Sequence, residues 1–220
     1  MFKSQKNVFW QALFVTILIF GIGIVAGIIL EDWRTSNIDV LYQKSELDLM
    51  DIRLQTDIYS TGTFSCDKAI KENINFAERI YNEASLLDRY EQASTLKEDI
   101  KARHKKYDLL RANLFLNSIK IKEKCNSSYY DVVYLYKYNN PSLNVRAKQN
   151  IFSKLLMELK SRRGNEILLI PMAGDNNLAS LDIIKDKYGI VDEDLPVILI
   201  NGEIKITELE TIDELIKNFE

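Results

Sequence analysis

The chain has 220 residues, of which 46% are apolar and 28% charged, the balance of a folded protein with one large or two small domains. Its 29 Lys and Arg residues are outnumbered by 32 Asp and Glu residues, so no cationic excess is present to neutralise a phosphate backbone. We therefore expect no nucleic-acid partner. Three prolines and eight glycines also exclude a collagen-like or a proline- and glycine-rich disordered chain.

Much of the apolar content lies in one uncharged run, residues 8–30, which contains only two polar side chains. As a helix this run is about 34 Å long, enough to cross the roughly 30 Å hydrocarbon core of a bilayer. Trp10 and Trp33 lie at its two ends, where indole rings prefer the headgroup region. The sequence therefore predicts a membrane anchor over residues 1–33, with the lipid bilayer as its partner.

The charges beside this run predict its orientation. Lys3 and Lys6 precede it, whereas the flank at residues 31–34 contains one cation, so the N-terminus is expected in the cytoplasm and the rest of the chain outside. The alternative is a cleaved signal peptide, but its apolar region would have about 7 to 15 residues, followed by a small-residue cleavage site. Gly23 and Gly27 have the spacing of a helix-dimerisation motif, which makes them candidates for a homo-oligomer contact; chance accounts for this spacing equally well.

The two cysteines, Cys66 and Cys125, form no Cys-x-x-Cys and no zinc-binding pattern, so we predict neither a metal site nor a cofactor. An even number of cysteines in a chain outside the cytoplasm indicates one structural disulfide, and two unrelated buried thiols are the alternative. We predict no catalytic residue. The single histidine, His104, lies in a charged helical stretch and is expected at the surface or half-buried.

Residues 34–128 have a helical periodicity and contain no proline. A first helix is expected to start near Ser36, which resembles a helix cap. Two further helices, starting near Cys66 and at the capping box of Thr95, predict an antiparallel hairpin. Folding this hairpin brings the two cysteines together, which supports the disulfide independently of compartment. The charged run Lys97 to Lys106 is expected to be a solvated face.

The last part of the chain, residues 129–220, alternates strand and helix patterns. The expected elements are a strand at 131–138, a helix capped by Asn144, a strand at 166–171, a helix capped by Asp175 or Asn176, and a strand from Pro196 to Ile200. An Asn201-Gly202 turn then leads into a fourth strand, and Thr211 with Glu214 forms the capping box of the last helix. Strand-helix-strand requires a parallel crossover, and the closing hairpin adds antiparallel strands, so we predict an α/β fold with a mixed sheet.

This order of elements, with a proline at the start of the third strand, resembles the thioredoxin fold. The resemblance implies a cis peptide bond between Leu195 and Pro196, which proline makes accessible. The overall plan of a membrane anchor, a cysteine-bearing helical hairpin and a thioredoxin-like end is also similar to that of uncharacterised membrane-tethered proteins of archaea.

The chain departs from this family at the active site. Thioredoxin-like oxidoreductases carry Cys-x-x-Cys between the first strand and the first helix, but residues 139–144 contain no thiol. The surface that the family uses to receive an extended peptide is still implied. Its residues here would be Asn139, Ser142, Asn144, Leu195 and Pro196; ordinary turn and capping roles are the alternative for the three polar ones.

Other polar motifs predict little chemistry. The acidic residues 192–194 match no calcium loop and are expected to form a solvated loop. Asp175 has no second ligand at a useful spacing, so a capping role is expected for it rather than a metal-binding one. Asn126 begins an Asn-x-Ser sequon and is a candidate glycosylation site.

Together these features predict a single-pass membrane protein that presents a redox-inactive thioredoxin-like domain outside the cytoplasm, where it binds a protein or peptide or acts as a scaffold. Two alternatives remain open. One is a thiol-disulfide oxidoreductase or isomerase in which Cys66 and Cys125 form an exchanging pair. The other is a membrane spacer whose helices oligomerise.

Overall fold

A computed structural model describes residues 5–91, 97–127, 129–208 and 211–219, without the side chains of residues 5–7, 32–42, 45, 85–91 and 97–100. The chain divides into two compact units, Met1–Leu47 and Asp48–Glu220.

The first unit contains the beginning of helix α1, Gln5–Thr61. Its segment Val8–Glu31 has 24 residues and a mean hydropathy of 2.9, so it is long and apolar enough to cross a membrane; a signal sequence has the same properties. The Trp10 side chain is exposed, whereas that of Trp33 lies outside the described residues. A Cβ atom added at Gly23 or Gly27 would meet no atom within 4 Å, and the homo-oligomer contact through these glycines stays a prediction.

The prediction of a separate helix starting near Ser36 is wrong, because α1 continues through this position to Thr61. No glycine or proline lies between Leu30 and Gly62, so nothing interrupts the backbone hydrogen bonds of the helix. At Gly62 the backbone N–H donates to the carbonyl of Ile58 at 2.8 Å, which completes the last turn.

The second unit begins with a helical part. Helix α2, Cys66–Glu91, and helix α3, Lys97–Lys124, form the predicted hairpin, because the disulfide joins the first residue of α2 to Cys125, just after α3. On α2 a stripe of side chains with three- and four-residue spacing is buried, namely Ala69, Asn73, Phe76 and Ile80. The predicted capping box at Thr95 lies outside the described residues. The expected solvated face is wrong for Lys106, which is 8% exposed.

In the described part of the second unit, four strands form one mixed sheet of order β2-β1-β3-β4. They are β1, Tyr130–Tyr136; β2, Ile167–Ala173; β3, Val197–Ile200; and β4, Ile204–Ile206. Strands β1 and β2 are parallel, and the other two neighbouring pairs are antiparallel, as predicted for a crossover followed by a hairpin. Asn201 and Gly202 both have positive φ angles, 52° and 73°, which confirms the predicted tight turn between β3 and β4.

Helices cover both faces of this sheet. Helix α4, Leu143–Arg163, joins β1 to β2; helix α5, Ala179–Lys187, follows β2; and helix α6, Ile212–Ile216, begins at the predicted capping box. Short 3-10 turns occur at Gly164–Glu166, Asp192–Asp194 and Lys217–Phe219. Burial on both faces explains why the middle of β1 is a continuous apolar run.

The two faces have separate cores. On one face, α4 and α6 pack on β1, β2 and β3 around Phe152, Leu156 and Leu215. On the other face, α5 and the helical part share a single core with the sheet, in which Phe115 is 1% exposed. The helices after residue 48 are therefore packed on the sheet as part of one α/β unit.

Candidate functional site

The start of α4 is the first part of the surface that the sequence predicts for peptide binding. Ser142 is its N-cap: it has an extended backbone, and its Oγ accepts a hydrogen bond from the Val145 N–H at 3.4 Å. The prediction that Asn144 caps this helix is wrong, because Asn144 lies within the first turn and is exposed. The extended backbone before the helix allows the Ser142 hydroxyl to turn back to the free N–H groups.

Asp175 joins the ends of β1 and β2. Its carboxylate accepts hydrogen bonds from the backbone N–H groups of Tyr138 and Asn139, both at 2.7 Å, and the Asn139 Nδ2 donates to the Asp175 carbonyl at 2.9 Å. The prediction that Asp175 or Asn176 caps α5 is wrong, since the N-cap is Leu178, which has no capping side chain. Asn139 and Asp175 thus hold two loops together, a contact that the order of residues in the chain does not reveal.

Leu195 and Pro196 are joined by a cis peptide bond, as the resemblance implies. Both residues are buried, and Leu195 is 3% exposed. Leu195 packs so closely on Gly174 that a Cβ atom there would lie 3.1 Å from both of its methyl carbons. Of the predicted surface, only Ser142 and Asn144 are exposed, and Asn139 is half-buried. The peptide-binding role of the five residues stays a prediction.

A buried carboxylate lies beneath this region. Asp108 of α3 is fully buried; it accepts hydrogen bonds from the Ala173 N–H at 3.1 Å and the Asn176 Nδ2 at 2.5 Å, and it pairs with Arg111 at 3.6 Å. Burial raises the pKa of Asp108, and the Arg111 guanidinium and the two hydrogen bonds oppose the rise. Because both oxygens are engaged, Asp108 holds α3 against the end of β2 rather than serving as an accessible base.

A second buried carboxylate, Asp131 of β1, contacts the C-terminal part of α3. It accepts hydrogen bonds from the Ser118 hydroxyl at 2.5 Å and from Lys122 at 2.9 Å, while Ser118 also bonds to the Tyr129 hydroxyl at 2.8 Å. Burial raises the pKa of Asp131, and the Lys122 ammonium and the Ser118 hydroxyl lower it. Asn201 accepts from Lys122 and from the Asp131 N–H, which closes the network. These contacts join α3 to β1 without leaving a reactive group exposed.

Cys66 and Cys125 form a disulfide with 5.7 Å between their α carbons. It belongs to a small apolar cluster with Tyr59, Ala69 and Ile121, in which Cys125 is 5% exposed. Asn126, the candidate glycosylation site, is exposed beside it, and the third residue of its sequon lies outside the described residues. The predicted disulfide is therefore present; whether it exchanges with other thiols stays a prediction.

The sheet also forms a groove that the sequence did not predict. It has a volume of about 470 Å³ and lies at the outer edge of β2, between α2 and α4. Tyr81 of α2 and Met157 of α4 are 63% and 65% exposed on its two walls. Its floor includes Leu169 and Pro171. The groove is mainly apolar and open, which is typical of a site that binds another molecule.

The hydrogen bonds of β2 show which of its backbone N–H and C=O groups face this groove. The Gly174 N–H donates to the carbonyl of Tyr136, which lies on β1. Successive residues of a strand direct their N–H and C=O groups to opposite sides. The backbone groups of even-numbered β2 residues therefore face β1, and those of odd-numbered residues face outward. At the two ends the outward groups are engaged, because Lys160 Nζ donates to the Ile167 carbonyl at 2.8 Å and the Ala173 N–H donates to Asp108. Between them, the outward groups of Leu169 and the Pro171 carbonyl have no partner among the described residues.

Comparison with protein-family models, with curated proteins and with solved structures finds no match to the chain. Within the described ranges no three His, Cys, Asp or Glu side chains are grouped so that they could hold a metal ion. The groove, which is open and mainly apolar with two exposed side chains on its walls, is the candidate functional site that the geometry favours.

Proposed function

We propose that this protein is a single-pass membrane protein whose second unit contains a redox-inactive thioredoxin-like domain, residues 129–220, and binds a segment of another protein outside the cytoplasm. The observation that carries the proposal is the apolar groove beside β2, with Tyr81 and Met157 exposed on its walls. Apolar patches rimmed by polar residues are typical of protein-binding surfaces.

The order and direction of the strands support the thioredoxin-like fold in this proposal. A parallel crossover from β1 to β2, followed by the antiparallel hairpin of β3 and β4, agrees with the arrangement that the resemblance implies. The cis peptide bond before Pro196 agrees with it as well. Residues 139–144 lie where the family carries its thiols and contain none, which is why the domain is proposed to bind rather than to exchange disulfides.

The location is supported by the N-terminal helix and by the disulfide. The span Val8–Glu31 is long enough to anchor the chain, and the lysines that precede it favour a cytoplasmic N-terminus. The disulfide between Cys66 and Cys125 agrees with a compartment in which thiols are oxidised.

Membrane topology gives a direct test of this location. We expect an epitope tag after residue 220 to be degraded by added protease in right-side-out membrane vesicles and protected in inverted ones. The tagged chain should also stay in the membrane during alkaline carbonate washing, as an uncleaved anchor does. Protection in right-side-out vesicles, or release of a shortened chain, would contradict the proposed location.

Peptide binding tests the function itself. We expect the full chain, inserted in lipid nanodiscs, to select heptapeptides from a random phage-displayed library, because the groove is open and apolar. Nanodiscs without protein are the control. The function is overturned if no heptapeptide is retained above that control.

A further inference from the structure

We infer that the groove binds its peptide by strand addition, in which an extended, uncharged segment pairs with the outer edge of β2 at Leu169. This inference rests on the function proposed above, and it adds the mode of binding and the chemistry of the peptide. The site is distinct from the surface around Ser142 and Asn144 that the sequence predicts.

The main chain of β2 determines the pairing. The N–H and the C=O of Leu169 both point outward, so one peptide residue can form two hydrogen bonds with it. The Pro171 carbonyl can accept a third, but proline has no N–H to donate. Beyond these positions the edge is closed, by Lys160 at Ile167 and by Asp108 at Ala173. The edge therefore accepts a short segment and resists the addition of a long strand.

The walls of the groove determine which side chains the peptide needs. The Leu169 side chain belongs to the core on the α4 side, so the peptide residue paired with it also directs its side chain to that side, near Met157. The side chains of the two neighbouring peptide residues point to the opposite side, where α2 presents Ala77 and Tyr81. We therefore expect apolar residues at both positions that flank the paired one.

The charges of the groove favour an uncharged segment. Glu78 and Lys160 line it with opposite signs, so the site as a whole has no excess charge to match a charged ligand. The Lys160 ammonium also donates to the carbonyls of Gly164 and Ile167, both at 2.8 Å, and is engaged by the protein itself. Glu78 interacts electrostatically with Lys160, so a charged peptide side chain would lose water in the groove and compete with charges that already offset each other.

The outer edge of β2 lies at the bottom of the groove, and this position favours a peptide over a second copy of this chain. Helices α2 and α4 rise on the two sides of β2, and a groove of about 470 Å³ holds only a few side chains. In a second copy, β2 lies at the bottom of an identical groove, so the helices of the two copies would keep the edges apart. A single extended segment, without helices beside it, can reach the floor.

Three measurements on the full chain in nanodiscs test this inference, with the selected heptapeptides synthesised as acetylated amides. In hydrogen–deuterium exchange, we expect the Leu169 amide to become protected when peptide binds. Methylation of single peptide nitrogens should weaken binding at alternate positions only, because every second N–H faces the strand. A mode based on side chains alone would not produce this alternation.

Variants of the walls supply the third measurement. We expect Tyr81→Lys and Met157→Lys each to raise the Kd of the peptides by about tenfold or more, since each places a charge in a desolvated apolar contact. Ile183→Lys on α5 is the matched control, because Ile183 is 69% exposed and lies outside the groove, and it should leave the Kd unchanged. Strand addition is overturned if peptides bind but Leu169 gains no protection or N-methylation has no alternating effect, and the groove is excluded as the site if both wall variants bind normally. Failure of every peptide to bind would instead overturn the function.

Discussion

Replacing Asp108 by alanine is expected to lower the free energy of unfolding by about 3 kcal/mol, because the Ala173 N–H and the Asn176 amide would be left buried without an acceptor. Part of this cost is offset because the variant no longer buries a carboxylate. Burial raises the pKa of Asp108, which shows that its charged form is unfavourable in this position. Urea denaturation of the full chain in detergent micelles, followed by far-ultraviolet circular dichroism, measures the change. Asp108→Asn should lower the free energy of unfolding by less, because its amide oxygen still accepts one hydrogen bond.

The matched control for Asp108 is Asp186→Ala on α5, where the carboxylate is exposed. Its effect should stay within about 0.5 kcal/mol, as for most surface substitutions. If Asp108→Ala unfolds at the same urea concentration as this control, the contact between α3 and the end of β2 does not contribute to stability as we describe.

Removing the disulfide is expected to destabilise the second unit by about 4 kcal/mol in the Cys66→Ser, Cys125→Ser double variant, the chain-entropy value for a loop of this length. The bond closes a loop with a sequence separation of 59 that contains the whole of α2 and α3. Urea denaturation measures the loss, and a reducing agent should shift the transition of the natural chain to that of the double variant. The double variant itself should not respond to the reductant.

The same chains distinguish a structural disulfide from an exchanging one. A structural bond predicts that the natural chain does not accelerate reduction of insulin by dithiothreitol, because Cys125 is 5% exposed within an apolar cluster. Acceleration that is lost in the double variant would support the oxidoreductase alternative. Such a result would contradict the proposal that the domain only binds.

Local patterns succeeded where neighbours in the chain determine the structure. The apolar span at residues 8–30, the hairpin whose ends carry the two cysteines, the turn at Asn201 and the capping box at Thr211 depend on contacts within a few residues or on a single repeated spacing. These features were predicted correctly from the chain alone. The expected cap at Asn144 failed because the helix begins two residues earlier, at the Ser142 cap, whose hydroxyl accepts from the Val145 N–H.

The errors share a cause in contacts between distant segments. Asp175 has the residue type and position of a helix cap, but it bonds to the loop after β1, about 36 residues away in sequence. Lys106 belongs to the charged run of α3 that was expected to be solvated, yet it is buried; two residues later, Asp108 is buried against the end of β2. A charge pattern along one helix indicates a solvated face only when no other element packs on that face.

By itself, the sequence determined the long apolar helix, the α/β class, the order of the elements and the pairing of the two cysteines, because periodicity, turn residues and loop ends are properties of neighbouring residues. Only the tertiary structure decided that the helical part and the sheet share a core, that Leu195 and Pro196 are buried, and that β2 is an edge strand. The groove exists because α2 and α4, far apart in the chain, flank Leu169 of that edge. Which strand is left at the edge depends on how the whole chain packs, and no local pattern records it.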